Sequence, residues 1–131
     1  MDVSQLSTKE IGNRGERAAR LYLLMRGYWP VDRNVTYKTG EIDLIMRRLG
    51  TLHFIEVKTI RCHTFPEESE SFADYDPSGN LHARKIQKVA RTAEWYAAAH
   101  GWKGALQIDA ALVWIRTSDG KAKVAYLPQI L

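Results

Sequence analysis

The residues that decide the reading are Gly40 to Lys58, GEIDLIMRRLGTLHFIEVK. Two apolar runs flank Leu49-Gly50, so the stretch predicts a hairpin with strands near 41–48 and 51–59. Yet the first run carries Asp43, the second carries Glu56 and Lys58, and Glu41 stands just ahead. Charge inside a sheet is unfavourable unless it is paired or holds a metal. With the turn at Leu49-Gly50, Arg48 faces Thr51, which sets Asp43 across from Glu56 and Glu41 across from Lys58. Residues two apart share a face, so all four side chains are expected on one side of the sheet. Opposed Cβ atoms lie roughly 4.5–5.5 Å apart, and two carboxylates at that spacing can share one cation.

A magnesium ion takes oxygen ligands at about 2.0–2.1 Å, and with two side-chain ligands it keeps positions open for water and a phosphate oxygen. A neighbouring lysine can orient or deprotonate that water, or stabilise developing negative charge. The chemistry expected is metal-assisted hydrolysis of a phosphodiester. The plainer alternative is a set of salt bridges at a strand end, Glu41 with Lys58 and Asp43 with an arginine. An acid facing a same-side Glu-x-Lys, with apolar residues between, favours the metal site.

Outward from the hairpin, residues 8 to about 26 read as a helix. Ser7 and Glu10 have capping-box spacing, Ile11, Ala18, Ala19, Tyr22 and Met25 share a face, and Gly27 is a stop. Gly12 and Gly15 lie inside it, each unfavourable by about 1 kcal/mol relative to alanine. Gly15 shares the face of Ile11 and Ala19, which predicts close approach to a neighbouring element. Residues 28–38 read as a strand, with Pro30 at its start or on a sheet edge. A second helix is expected over about 82–99, with Ile86, Val89, Ala90, Ala93 and Ala97 inward and Gly101 as its stop. The runs ALQIDAALVWIR and KAKVAYLP flank an Asp119-Gly120 turn. The order is αβββαββ: an α/β or α+β fold with one mixed sheet flanked by helices. A chain of 131 residues suits one compact domain over residues 1–131.

Over twenty residues separate the third strand from the second helix, and 66–80 read as a mobile acidic loop closed by Pro77-Ser78-Gly79-Asn80. Five of the 15 acids lie in residues 67–76, which hold no base, while the whole chain carries 19 Lys and Arg. The rest of the chain is therefore strongly basic, which suits a polyanionic partner such as nucleic acid. No run approaches the roughly 18 apolar residues that span a bilayer, and the polar N-terminus is unlike a secretory signal. Cys62 is the only cysteine, so no internal disulfide can form and a cytoplasmic location is expected. Cys62 and His63 alone make no zinc site.

Asp43 followed by Glu56-Val57-Lys58 resembles the PD-(D/E)xK signature of restriction-endonuclease-like nucleases. GNRGERAARLYLLMRGY, GEIDLIM, FIEVKTIR and the lysine-rich start of the second helix resemble the YraN family of bacterial proteins, which is similar in turn to archaeal Holliday-junction resolvases. The resemblance implies a restriction-endonuclease-like domain that cleaves DNA, with branched or structured DNA as substrate. It implies one or two Mg2+ or Mn2+ ions on Asp43, Glu56 and the Val57 carbonyl, Lys58 as catalytic lysine, and Glu16 approaching the metal from the first helix. A homodimer would follow by the same analogy, and a nucleic-acid-binding module with little or no hydrolysis is the alternative. The proline of the signature is absent, Ile42 standing before Asp43.

Arg84, Lys85 and Lys88, with His82 and Arg91, lie at the start of the second helix and are candidates for holding phosphates. Of Trp29, Trp95, Trp102 and Trp114, at most one is assigned to stacking on bases. Asp109 reads as a structural or outer-shell acid.

Overall fold

Among the described residues the hydrophobic periods resolve into two helices and five strands in the expected order. In the computed structural model, which describes residues 1–66 and 83–131, these are α1 (Thr8–Leu24), β1 (Trp29–Tyr37), β2 (Gly40–Arg48), β3 (Thr51–Cys62), α2 (Ala83–Ala99), β4 (Ala105–Arg116) and β5 (Ala122–Leu127). The acidic stretch 67–76, the turn at 77–80 and His82 lie outside the described residues, as do the side chains of Ala83 and Arg84.

Helix α1 starts where the capping box places it. The Ser7 hydroxyl accepts from the Glu10 amide at 3.1 Å, and the Glu10 carboxyl accepts from the Ser7 amide at 3.2 Å. Its buried stripe is Ile11, Gly15, Ala19 and Leu23, an unbroken i, i+4 row. Met25, expected on that face, is 76% exposed instead, because the helix ends at Leu24 and Leu23 fills the inward position. Gly27 takes the left-handed conformation that closes the helix (φ 87°). Gly15 is glycine because α1 lies directly on β3: a Cβ there would stand 2.8 Å from the Cβ of Thr59. Gly12 has no such neighbour, since a Cβ would meet nothing within 4 Å.

The sheet runs in order β1-β2-β3-β4-β5. β1–β2, β2–β3 and β4–β5 pair antiparallel, while β3 and β4 pair parallel across the crossover that contains α2. Pro30 falls on the edge strand β1, beside a register shift between Pro30 and Asp32. The helices cover opposite faces. Ile11, Ala19 and Leu23 of α1 pack on Leu44, Met46, Ile55, Ala111, Val113 and Ile115. Val89, Ala93 and Tyr96 of α2 pack on Ile42, Ile45, Leu52, Phe54 and Ile108. β4, with neighbours on both sides and helices on both faces, is buried continuously from Ile108 to Ile115.

Ile42 and Ile45 share the α2 face although they differ in parity, so strict alternation lapses between them. The partner strand lapses at the same level. Arg33 pairs with Leu44 and Val35 with Ile42, and between them Asn34 adopts φ 51°. This local kink sets Asp43.

Candidate metal centre

The hairpin register is the one that the turn dictates. Arg48 pairs with Thr51, and the ladder runs to Leu44 opposite Ile55. It stops there, one step short of the two acids. Past that point Asp43 turns its carboxyl into β3, and Oδ2 accepts from the Val57 amide at 2.8 Å, where a main-chain partner would otherwise sit. The pairing of Glu41 with Lys58 is corrected by this break. Glu41 pairs with Thr36 on β1 and is exposed, and the β2–β3 ladder does not reach it. The expectation that four side chains leave one flat face therefore fails at Asp43, because of the kink opposite Asn34.

Of Glu16, Glu41, Asp43 and Glu56, Glu56 is the most confined, only 8% exposed. Its Oε2 lies 3.9 Å from the Lys85 Nζ, while its Oε1 is buried with no hydrogen-bond partner among the described residues. Burial first, and then the charge of Asp43, push its carboxyl up to about 7, with Glu41 and Glu16 adding and Lys85 opposing. Asp43 is also raised, chiefly by burial, with Glu41 adding and the Val57 amide and Lys85 opposing. Glu16 on α1 is raised by burial and by Asp43, against a hydrogen bond from the Asn34 side chain and the charge of Arg33. Glu16, Glu41, Asp43 and Glu56 thus lie within one another's field, with Lys85 as the close cation. Lys58 is half-buried, and the strand period gives it the face of Glu56 and Phe54.

Such a group is poorly explained as structural ion pairing. A partnerless carboxyl oxygen in the interior is unfavourable by about 1–3 kcal/mol or more, and like charges compound it. A divalent cation would relieve both, so the donor set fits one: two hard carboxylates on adjacent strands, one with a vacant oxygen. The fit rests on two side chains, because among the described residues no three of His, Cys, Asp and Glu lie close enough to hold an ion together.

Lys85 and Lys88, candidates for holding phosphate, are both exposed, and the Lys85 Nζ lies 3.9 Å from Glu56 Oε2. Trp29 and Trp95 are exposed and Trp114 is buried. Asp109 is structural. Fully buried, it accepts from His53 Nδ1 at 2.7 Å, Gln107 Nε2 at 2.8 Å, the Gln129 amide at 2.7 Å and the Tyr126 hydroxyl. Asn34 was not foreseen. An asparagine inside a strand is a signal that could have found it, since Asn tolerates positive φ better than other side chains.

Residues 15–113 match the uncharacterised protein family UPF0102, a span that takes in Glu16, Asp43, Glu56, Val57, Lys58, Lys85 and Lys88. A UPF0102 protein of Methylobacillus flagellatus is 34% identical over 112 residues, covering 86% of this chain and 90% of the relative. One from Symbiobacterium thermophilum is 36% identical over 94 residues, 72% of each chain. Another from Campylobacter jejuni is 36% identical over 98 residues, 75% of this chain and 78% of its own. The chain belongs to this family, the YraN-like proteins. No helix among the described residues is long and apolar enough to cross a membrane.

Proposed function

We propose that the chain is a metal-dependent endonuclease that hydrolyses phosphodiesters in DNA, with branched or otherwise structured DNA as its substrate. The observation that carries the reading is the buried Glu56 carboxyl, with Oε1 unpartnered among the described residues and Asp43 beside it. Asp43 and Glu56 would hold Mg2+ or Mn2+, one ion or two, with the Val57 carbonyl as a further ligand by resemblance. Such an ion, when bound, supplies charge neutralisation at a phosphate oxygen and acidifies a water.

The protein groups divide the remaining work. Asp43 keeps its orientation through the Val57 amide, which leaves its other oxygen for the centre. Glu56 binds in its ionised form and must release a proton to do so. Lys58 stabilises the negative charge that develops on the attacked phosphate, or orders the attacking water. Glu16 reaches the centre from α1 and can order water there through its free valences. DNA enters as a polyanion against a chain of net charge +4.

The structured substrate rests on the resemblance to junction resolvases, and so does action as a homodimer. One observation favours a second reading, a nucleic-acid-binding module with little turnover. The centre offers two close ligand side chains rather than three among the described residues.

Cleavage of labelled single-stranded, duplex, flap and four-way-junction DNA, with Mg2+ and with Mn2+, separates the two. Metal-dependent cutting that disappears in Asp43→Ala and Lys58→Ala supports the nuclease. Undiminished affinity without cutting supports the binding module.

A further inference from the structure

The acidic centre raises a problem of access. A DNA strand that approaches four carboxylates needs compensating positive charge along its path, and of the cations on the α2 side Lys85 is already turned to Glu56. The opposite flank is better supplied. A cavity of about 300 Å³ opens between α1 and β1, lined by Arg17, Arg20, Arg33, Asn13, Asn34 and Glu16 over a Leu44 floor. A second, of about 210 Å³, continues it along Pro30 to Asp32, and Arg20 and Arg33 line both. Glu16 joins the first cavity to the centre, since its carboxyl lies in the field of Asp43 and Glu41.

These arginines do not form the pairs expected of a solvated helix face. Glu16 stands one turn before Arg20, the spacing of a helical ion pair, yet among the described residues none of Arg17, Arg20 and Arg33 is within salt-bridge distance of a carboxylate. Glu16 lies beside Asn34 in the first cavity, and Asp32 accepts from the Tyr96 hydroxyl at 3.0 Å. Arg17, Arg20 and Arg33 thus line one seam with no ion pair to either acid in it, Glu16 in the first cavity and Asp32 in the second. Guanidinium matches phosphate in geometry and binds it through paired N–H groups. Two cavities in series, sharing arginines, suit successive phosphates of one strand better than a single small anion.

We infer that the α1–β1 seam is a phosphate track, in which Arg17, Arg20 and Arg33 hold backbone phosphates of a DNA strand leading to the acidic centre. This rests on the reading of that centre as a DNA site, but not on its being catalytic.

The test is binding without metal. Fluorescence anisotropy of a labelled DNA duplex, in EDTA and over a series of salt concentrations, would compare the full chain with the Arg17→Ala, Arg20→Ala, Arg33→Ala triple variant. A second triple variant, Lys9→Ala, Lys103→Ala, Lys121→Ala, removes the same charge elsewhere. Each lost phosphate contact lowers the slope of log affinity against log salt by roughly 0.9, so the arginine variant should lose about two to three units of slope and the lysine variant clearly less. Thermal melting confirms that both variants fold, and single arginine variants replace the triple if it does not.

Equal losses in the two variants would reduce the effect to net charge and overturn the track. So would an unchanged slope, or a wild-type chain that does not bind DNA. Tight binding of a mononucleotide that the arginine variant loses would replace the strand by a small phosphorylated ligand, and also overturns it. Cleavage lost in Asp43→Ala with an unchanged arginine slope sinks the track alone. A lost slope without any cleavage leaves the track standing and removes the nuclease.

Discussion

At Glu56 a single carboxyl is held where water and hydrogen-bond donors barely reach, and its titration should be visible in stability. Its folded value, near 7, lies above that of an exposed glutamate. The folded state therefore binds the proton more tightly than the unfolded state, so this stabilisation is complete below about pH 4.5 and is lost as pH rises through 7. Metal-free protein should melt at lower temperature at pH 8 than at pH 5.5, by the equivalent of about 2 kcal/mol, and Glu56→Gln should remove most of that difference. Melting curves of both proteins in EDTA check this. Equal slopes would mean that Glu56 is solvated. The two interior glycines of α1 make a sharper pair. Gly12→Ala adds a methyl where nothing lies within 4 Å and should raise stability by about 0.5–1 kcal/mol through helix propensity. Gly15→Ala drives a Cβ onto Thr59 and should lower stability by about 1–3 kcal/mol, with partial recovery in Gly15→Ala/Thr59→Ala. Denaturant unfolding of the four proteins decides it, and a Gly15→Ala as stable as Gly12→Ala would refute the close contact.

Among the elements, Asp109 ties together what the sheet order alone would leave loose. Its carboxyl joins His53 of β3, Tyr126 of β5 and the Gln129 amide beyond the last strand. Burial pushes this carboxyl up, but the bonds from His53, Gln129, Tyr126 and Gln107 outweigh it and hold it below the usual range. Its contribution is thus present at neutral pH and lost as pH falls through the folded value, the reverse of Glu56. Asp109→Ala strands four donors, of which the His53 ring is buried and the others are only partly so, and should destabilise by about 2–3 kcal/mol, with a flatter acid limb in urea melts taken against pH. An unaltered acid limb would show that the network is dispensable. The same elements show how far the sequence could be read. Hairpin register, element order and the α1 cap follow from local signals: Leu49-Gly50, the two periods, and Ser7 with Glu10. The kink at Asp43 does not, because Ile42, Leu44 and Met46 alternate along the sequence as an ordinary strand would, and only the left-handed Asn34 on the neighbouring strand betrays it. Nor could the break in the ladder before Glu41 be read, since a side chain replacing a main-chain partner leaves no periodic trace. Lys85 was legible as a base at a helix start but not as the neighbour of Glu56, which depends on how α2 crosses β3.

For the molecule as a whole, an ion held at the acidic centre as proposed would make folding and ion binding one equilibrium. Four acids in mutual repulsion oppose the metal-free fold, and an ion bound only by the folded state should stabilise it by about 2.7 kcal/mol at a hundred times its dissociation constant. Melting temperature should therefore climb with Mg2+ or Mn2+ in the wild-type chain, and Asp43→Asn or Glu56→Gln should abolish the climb while leaving the fold intact. The pH dependence adds a second signature. If Glu56 holds the ion as proposed, its ionised form does so, and with a carboxyl raised to about 7 binding at pH 6 would displace a proton that binding at pH 8 need not. Calorimetry in buffers of different ionisation enthalpy should find close to one proton released at pH 6 and fewer at pH 8, with affinity rising between them. If the ion binds with no proton release at either pH, or if Glu56→Gln keeps the full thermal shift, the metal is held elsewhere and the buried carboxyl needs another explanation. An ion that binds as expected while DNA remains uncut at every metal concentration would still place the cation on Asp43 and Glu56, and would transfer the function to binding.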